Sequence, residues 1–418
     1  MEVLMLSPEP PYPLHGGGAF RIASLVHYFA RFAKIDLILL SESGKPALLP
    51  PGLVRNQHVI PLEKHNPSVV ARYFRNARRA FHSVPPLIDR LSGLDCAIKQ
   101  AIGTQHYDFC VVEHFWCAPY FPILAKSCTK LLLDLHNIES TLHERCVSLS
   151  NGRPHGVLNA LGEELIRAGH RRFAAASTKL EAALLPLYTK VLATSEDDAR
   201  VASAIAPGAH VLVFPNALPW TPVPTTPEAN RLVFSANFEY HPNIDAVQFL
   251  VNEIWPLTRR NHPGLGLRLV GRGDASIRHL LPPGSPEQTG IEVTGPVEDA
   301  RVEIAQARIV IAPLRAGSGT RIKILEAWAA ARCVVATPLA AEGLAAEDGL
   351  NIALASSPED FAARIDALLA DAEARQGLAA AGRRTFETSY CWEVVWRNLD
   401  IDLQLTHESG LNGYTGNF

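Results

Sequence analysis

Several chemistries are excluded by what this 418-residue sequence lacks. There is no Cys-x-x-Cys pair and no histidine cluster at zinc-finger spacing. The seven cysteines, at 96, 110, 117, 128, 146, 333 and 391, are scattered and unpatterned. Such a set reads as buried thiols in a reducing compartment, so the expected location is the cytoplasm. No window holds 18 uncharged apolar residues, and the Ala-rich stretch 325–346 is broken by Glu326, Arg332, Pro338 and Glu342. No membrane span is therefore expected. The apolar run Met1–Leu6 ends in Pro8, Pro10, Pro11 and Pro13, too soon for a secretory leader. A net charge of −3 offers no bulk attraction for nucleic acid. Neither glycine loop completes Gly-x-Gly-x-x-Gly: Gly16, Gly17 and Gly18 are contiguous, and Gly271–Arg272–Gly273 is followed three residues on by Ser276. A dinucleotide-dependent oxidoreductase fits poorly.

What is present is an alternation of short apolar runs and amphipathic segments. Val3–Leu6, Ile35–Leu40, Phe109–Val112, Leu131–Leu135 and Val191–Thr194 read as strands covered on both faces. Between them lie helical patterns, one starting near Ala19 with Ile22, Leu25, Val26 and Phe29 on one face, another over 158–185. The proline-rich segment 216–230 reads as a linker. The rhythm then restarts, with strands at 231–235, 267–270, 309–313 and 333–337, and helices at 243–260, 298–307, 320–331 and 358–388, the last with a break at Gly377. Length alone argues for two cores. The expectation is an α/β chain of two Rossmann-like domains facing across a cleft: 1–215, a linker at 216–230, 231–386, a helix over 387–407 returning to the first domain, and a tail at 408–418.

The segment richest in chemistry is Ala312–Ala327. A buried strand ends at Pro313, a loop with Gly317, Ser318 and Gly319 follows, and a helix begins near Thr320. Unpaired amides at such a helix start favour an anion, and glycine lets the backbone approach a phosphate. Arg321 and Lys323 add cations beside the loop, and Glu326 can accept from two ribose hydroxyls. Phosphate, cations and a carboxylate in one window describe a nucleotide-diphosphate site.

This window resembles the donor-site signature of retaining glycosyltransferases of the two-Rossmann (GT-B) type, family 4 (glycosyl transferases group 1). Further pieces resemble the same family in the same order: Gly16–Gly17–Gly18, Asp134–Leu135–His136–Asn137, Thr194–Ser195, Phe214–Pro215–Asn216, Pro242–Asn243, Leu269–Val270–Gly271–Arg272–Gly273, and Gly295–Pro296–Val297–Glu298–Asp299. The resemblance implies that Glu326 binds the donor ribose and that the loop 317–320 donates amides to the diphosphate. It places Arg321 and Lys323 against the departing nucleotide, Pro296–Val297 and Gly271 at the donor, His136 on the transferred sugar, and Gly16, Gly17 and Gly18 against the phosphates. The implied co-substrate is a nucleotide-sugar donor, with no cofactor and no bound metal. The acceptor would be a glycan, a lipid-linked molecule or a small molecule, in bacterial polysaccharide or glycoconjugate assembly. The sequence departs from the family at two places. Ser318 stands where a second glutamate is frequent, and Asn237–Phe238–Glu239–Tyr240 stand where an arginine and a lysine are usual.

His136 also follows a buried strand at the end where ligands of open α/β sheets sit. Glu113 and His114 end another such strand, and with Asn137 and Glu139 they are acceptor-side candidates. The stretch 72–82 is basic with interleaved aromatics; it suits anionic headgroups at the inner face of the cell membrane, and reads equally as a solvated helix face. Two rivals stay open at this point: a nucleotide-sugar epimerase on the same scaffold, and a non-catalytic partner subunit, the latter motivated by Ser318.

Overall fold

A computed structural model of the chain describes residues 1–14, 16–63, 68, 74–75, 78–79, 81–82, 84–149, 157–297, 299–317 and 322–403, without the side chains of 148–149, 157–163 and 165–166. The chain forms two compact units, Met1–Pro215 and Asn216–Phe418. The tail expected at 408–418 and residues 72, 73, 76, 77 and 80 of the basic stretch 72–82 lie outside the described residues.

Among the described residues, the first unit holds a seven-stranded sheet in the order β3-β2-β1-β4-β5-β6-β7, with every neighbouring pair parallel. The strands are β1 (Glu2–Ser7), β2 (Lys34–Ser41), β3 (Asn56–Pro61), β4 (Tyr107–Glu113), β5 (Cys128–Asp134), β6 (Lys190–Ala193) and β7 (Val211–Val213). Runs such as Val3–Leu6 and Cys110–Val112 are wholly buried, because crossover helices cover both faces of a parallel sheet. Helix α1 (Gly17–Ala30) returns the chain from β1 to β2, burying Ile22, Leu25, Val26 and Phe29. It starts two residues earlier than the apolar spacing predicts, so Gly17 and Gly18 form its first turn rather than the loop before it. The other long helices of this unit are α2 (Asp95–Ile102), α3 (Glu139–Leu149), α4 (Val157–Leu184) and α5 (Glu196–Ile205).

The second unit repeats the plan with six described strands in the order β10-β9-β8-β11-β12-β13, again parallel throughout. They are β8 (Arg231–Ser235), β9 (Gly266–Val270), β10 (Ile291–Gly295), β11 (Ile309–Ala312), β12 (Val334–Ala336) and β13 (Ala353–Leu354). Helices α6 (His241–Phe249), α7 (Ala300–Ala305) and α8 (Ile322–Ala329) connect them, followed by α9 (Pro358–Ala370), α10 (Ala372–Ser389) and α11 (Trp392–Asp402). The proline-rich segment lies along this unit. Leu218 N–H donates to Tyr390 O, and the Arg383 and Arg332 guanidiniums donate to Thr221 O and Thr226 O.

A second helix boundary differs from expectation. The break in 358–388 falls at Asp371, not at Gly377. The Asp371 carboxylate accepts from Ala374 N–H at 2.9 Å and caps α10, while Gly377 sits inside that helix. A side-chain cap is worth on the order of 1 kcal/mol, similar to the helix cost of an internal glycine, and here the cap sets the boundary.

Helix α8 is held from behind. Trp328 is fully buried and its Nε1 donates to Asn351 O at 2.9 Å. Helix α10 reaches the indole through Gly382, where a Cβ would lie 2.4 Å from Trp328 Cδ1.

Candidate functional site

In each sheet the strand order reverses once, between β1 and β4 and between β8 and β11. The loops leaving the C-terminal ends of such strands diverge and open a crevice. The candidate residues gather there.

In the second unit, the β11 strand runs out into Pro313–Gly317. Arg315 ties this loop to α6 by pairing with Asp245 at 2.8 Å. Gly317 has φ +108°, a backbone state that a side chain would strain. Ser318, Gly319, Thr320 and Arg321 lie outside the described residues. The helix that follows brings Lys323 back across the crevice. Its Nζ donates to Asn243 Oδ1 at 3.1 Å and stands 5.5 Å from the centre of the Phe234 ring. Asn243 Nδ2 in turn donates to Asn237 O at 2.8 Å. Asn243 thus links Lys323 on α8 to the loop that follows β8.

One turn further along α8 is Glu326. The residue keeps some exposed surface, yet burial pushes its carboxyl up to about 7, against the pull of Lys323 and Arg301 and with the help of Asp299. Asp299 caps α7 by accepting from Arg301 N–H and pairs with the Arg301 side chain at 2.9 Å. Pro296 and Val297 precede that cap, Pro296 exposed and Val297 half-buried. Gly271 has φ +139°, and a Cβ there would lie 1.9 Å from Ala236 O. Its glycine is required by packing against the β8 loop, independently of any ligand.

In the first unit, the crevice is lined by buried ionisable groups. Arg21, 1 % exposed on α1, places Nε 2.9 and 2.8 Å from the two Asp134 oxygens at the end of β5. Its Nη1 donates to Phe214 O. His136 Nε2 lies 3.0 Å from Glu113 Oε2 and 3.3 Å from Asp134 Oδ2. Burial raises Asp134, but the Arg21 charge and the His136 hydrogen bond outweigh it and hold the carboxyl well below the usual range. Glu113 moves the other way, pushed well up by burial and by the neighbouring Asp134 charge. His136 is lowered to about 4 by burial and by His114, so it is neutral at physiological pH.

Three rings then stack outward. His136 lies on His114 with centroids 3.5 Å apart, and His114 on Trp116 at 4.1 Å. Trp116 Nε1 donates to Glu139 Oε1 at 2.8 Å, and burial lifts the Glu139 carboxyl to about 7. His114 holds φ 64°, unusual for a non-glycine residue, and such strain concentrates at functional sites. Asn137 sits half-buried on the turn into α3. Gly16 caps α1, and at Gly18 a Cβ would meet Glu9 Oε2 at 2.6 Å and His136 Nδ1 at 3.7 Å. The sequence reading names Glu113, His114, His136 and Gly18, which meet at one crevice, and Glu139, tied to it through Trp116. It misses Arg21, Glu9 and Trp116. A lone arginine inside the apolar run Ala19–Val26 was the available signal for the first.

Glu113, Asp134 and His136 each offer one atom within 4.8 Å of the others, close enough to share a metal ion. The Arg21 guanidinium already sits on Asp134 and neutralises it, so this donor set reads as a proton-sharing cluster rather than a metal centre.

Residues 229–371 match the family model described as glycosyl transferases group 1. No curated protein matches the chain in sequence. The fold of the whole chain is that of GT-B glycosyltransferases. It is similar to sucrose-phosphate synthase from Thermosynechococcus elongatus (TM-score 0.69, 14% identity, 96% of this chain and 98% of that one). It is also similar to HepE of Anabaena in complex with UDP (TM-score 0.58, 14% identity, 97% and 100%). S. aureus TarM in complex with UDP is a third such structure (TM-score 0.63, 10% identity, 97% and 100%). Among the described residues, no helix is long and apolar enough to cross a membrane.

Proposed function

We propose that this protein is a retaining glycosyltransferase that moves a sugar from a nucleotide-diphosphate donor to a glycan, lipid-linked or small-molecule acceptor. The observation that carries the reading is Glu326, a desolvated carboxyl three residues beyond Lys323 on the helix that follows the β11 loop, inside the segment matching the glycosyltransferase family. A buried carboxyl is costly unless it has a partner, and two ribose hydroxyls would satisfy it. The UDP named in the complexes of HepE and TarM supports the same class of donor.

In this mechanism the bond between the sugar's anomeric carbon and the β-phosphate oxygen breaks through an oxocarbenium-like state. The acceptor oxygen bonds to that carbon on the same face, and its proton passes to the departing phosphate. Negative charge grows on the phosphate, and Arg321, Lys323, and the amides of 317–320 are assigned to meet it. Preorganised charge of this kind is usually a large term in catalysis. His136 is assigned to the transferred sugar and Gly16–Gly18 to the phosphates. Glu113, His114, Asn137 and Glu139 are assigned to the acceptor. The reading assigns no cofactor and no resident cation.

The test is thermal stabilisation by a panel of nucleotide sugars, followed by calorimetry of the bound nucleoside diphosphate on Glu326→Ala. Weakened binding is expected. Affinity equal to that of the parent protein removes the ribose assignment.

A further inference from the structure

His136 has two ring nitrogens in very different surroundings. Nε2 faces inward, toward Glu113 Oε2 and Asp134 Oδ2. Nδ1 faces the first turn of α1, 3.7 Å from where a Cβ on Gly18 would be. Which nitrogen carries the proton is set by the partner of the other.

We propose that Arg21 and Asp134 are positioning residues that fix His136 as its Nε2–H tautomer, so that Nδ1 presents a lone pair toward Gly18 and accepts a hydrogen bond from a hydroxyl of the transferred sugar. This rests on the proposed function, in which His136 touches that sugar. Arg21 anchors the cluster from the inside. Its Nε meets both Asp134 oxygens, which keeps this carboxylate ionised and able only to accept. A bare Nε2 lone pair would be repelled by the Asp134 anion at 3.3 Å, whereas an Nε2–H is attracted to it and is also within reach of Glu113 Oε2 as a second acceptor at 3.0 Å. The backbone contact from Arg21 Nη1 to Phe214 O holds the guanidinium in place. The ring cannot turn over, because His114 is stacked on its face at 3.5 Å. The glycine at 18 keeps the Nδ1 side open, since any side chain there would collide with Glu9 or crowd the ring.

The consequence is a selectivity rule. A lone pair rewards a hydroxyl donor and gives nothing to a group that can only accept. A donor sugar with that hydroxyl replaced by fluorine should therefore lose rate with the parent protein, since the site's acceptor is left unpaired.

The experiment uses the full chain labelled with 15N-histidine, with His136→Gln to assign the resonances. At neutral pH the His136 signals should show Nε2 protonated and Nδ1 bare. A protonated Nδ1, or signals averaged between the two tautomers, overturns the proposal. The second arm is the double variant Arg21→Met with Asp134→Leu, which removes both charges together so that neither is stranded. It should average the tautomers and lower kcat by about 10²-fold, as misplacement of a contacting group does. Its affinity for nucleoside diphosphate should stay within about threefold of the parent. Unchanged kcat overturns the positioning role. Should the double variant not fold, the parent spectrum alone still decides the tautomer. If the parent protein itself binds no nucleotide, the proposed function fails, and the tautomer result stands apart from it.

Discussion

Arg21 and Asp134 are 113 residues apart in sequence and form a buried, two-point ion pair at the end of the first sheet, with side chains 1 % and 0 % exposed. Removing one partner strands the other charge in a low-dielectric surround. Arg21→Met and Asp134→Leu are each expected to destabilise the chain by about 3–5 kcal/mol, and the two together by much less than the sum of the singles. Urea unfolding of the three variants measures this; additive losses would show that the pair is not coupled.

Glu326 should make nucleotide affinity depend on pH. Ribose hydroxyls donate to an ionised carboxylate, and this one titrates at about 7. Affinity is therefore expected to rise about tenfold from about pH 6 to about pH 8. The phosphates titrate as well, so calorimetry should compare slopes, with Glu326→Gln the flatter. In the unliganded chain the sign for stability is opposite. The folded state holds a proton that the unfolded state releases above 4.5, so stability falls as pH rises from there toward 7. The loss is on the order of 3 kcal/mol before solvent screening, and Glu326→Gln should recover part of it at high pH.

Lys323→Ala should lower turnover by about 10²- to 10³-fold if its ammonium meets charge on the departing phosphate. Asn243→Ala, which takes away one partner of the lysine without removing it, should cost less. Steady-state kinetics on both variants separate these roles. Lys323→Ala within about threefold of the parent would take Lys323 out of catalysis.

Gly271→Ala should damage the second unit whether or not nucleotide is present. Its Cβ would sit 1.9 Å from Ala236 O, and the contact is with backbone that has no rotamer to give. A loss of about 1–3 kcal/mol is expected, read as a lower melting temperature in ligand-free protein.

Periodicity made most of the fold legible. Strands such as Val3–Leu6 and Ile309–Ala312 are continuous apolar runs because both faces are covered, and that pattern is hard to mistake. The elements that escaped were those without it. Among the strands, β3 and β10 have partly exposed positions, and β7 and β13 are only three and two residues long. The site divides in the same way. Glu326 and Lys323 stand in a short local motif. The inner cluster depends on residues from α1, β4 and β5 meeting in space, which no local window contains. Asp134 was visible as part of a motif, but its partner was hidden in a helix that otherwise reads as core.

The feature with the longest reach is the missing side chain at Gly382. Trp328 stands two residues after Glu326 on a helix of only eight residues, and α10 leans on its indole through that gap. A methyl group at 382 would therefore work as a wedge behind the nucleotide's anchor. With Glu326 holding the ribose as proposed, that grip would then change with no alteration to any atom the ligand touches.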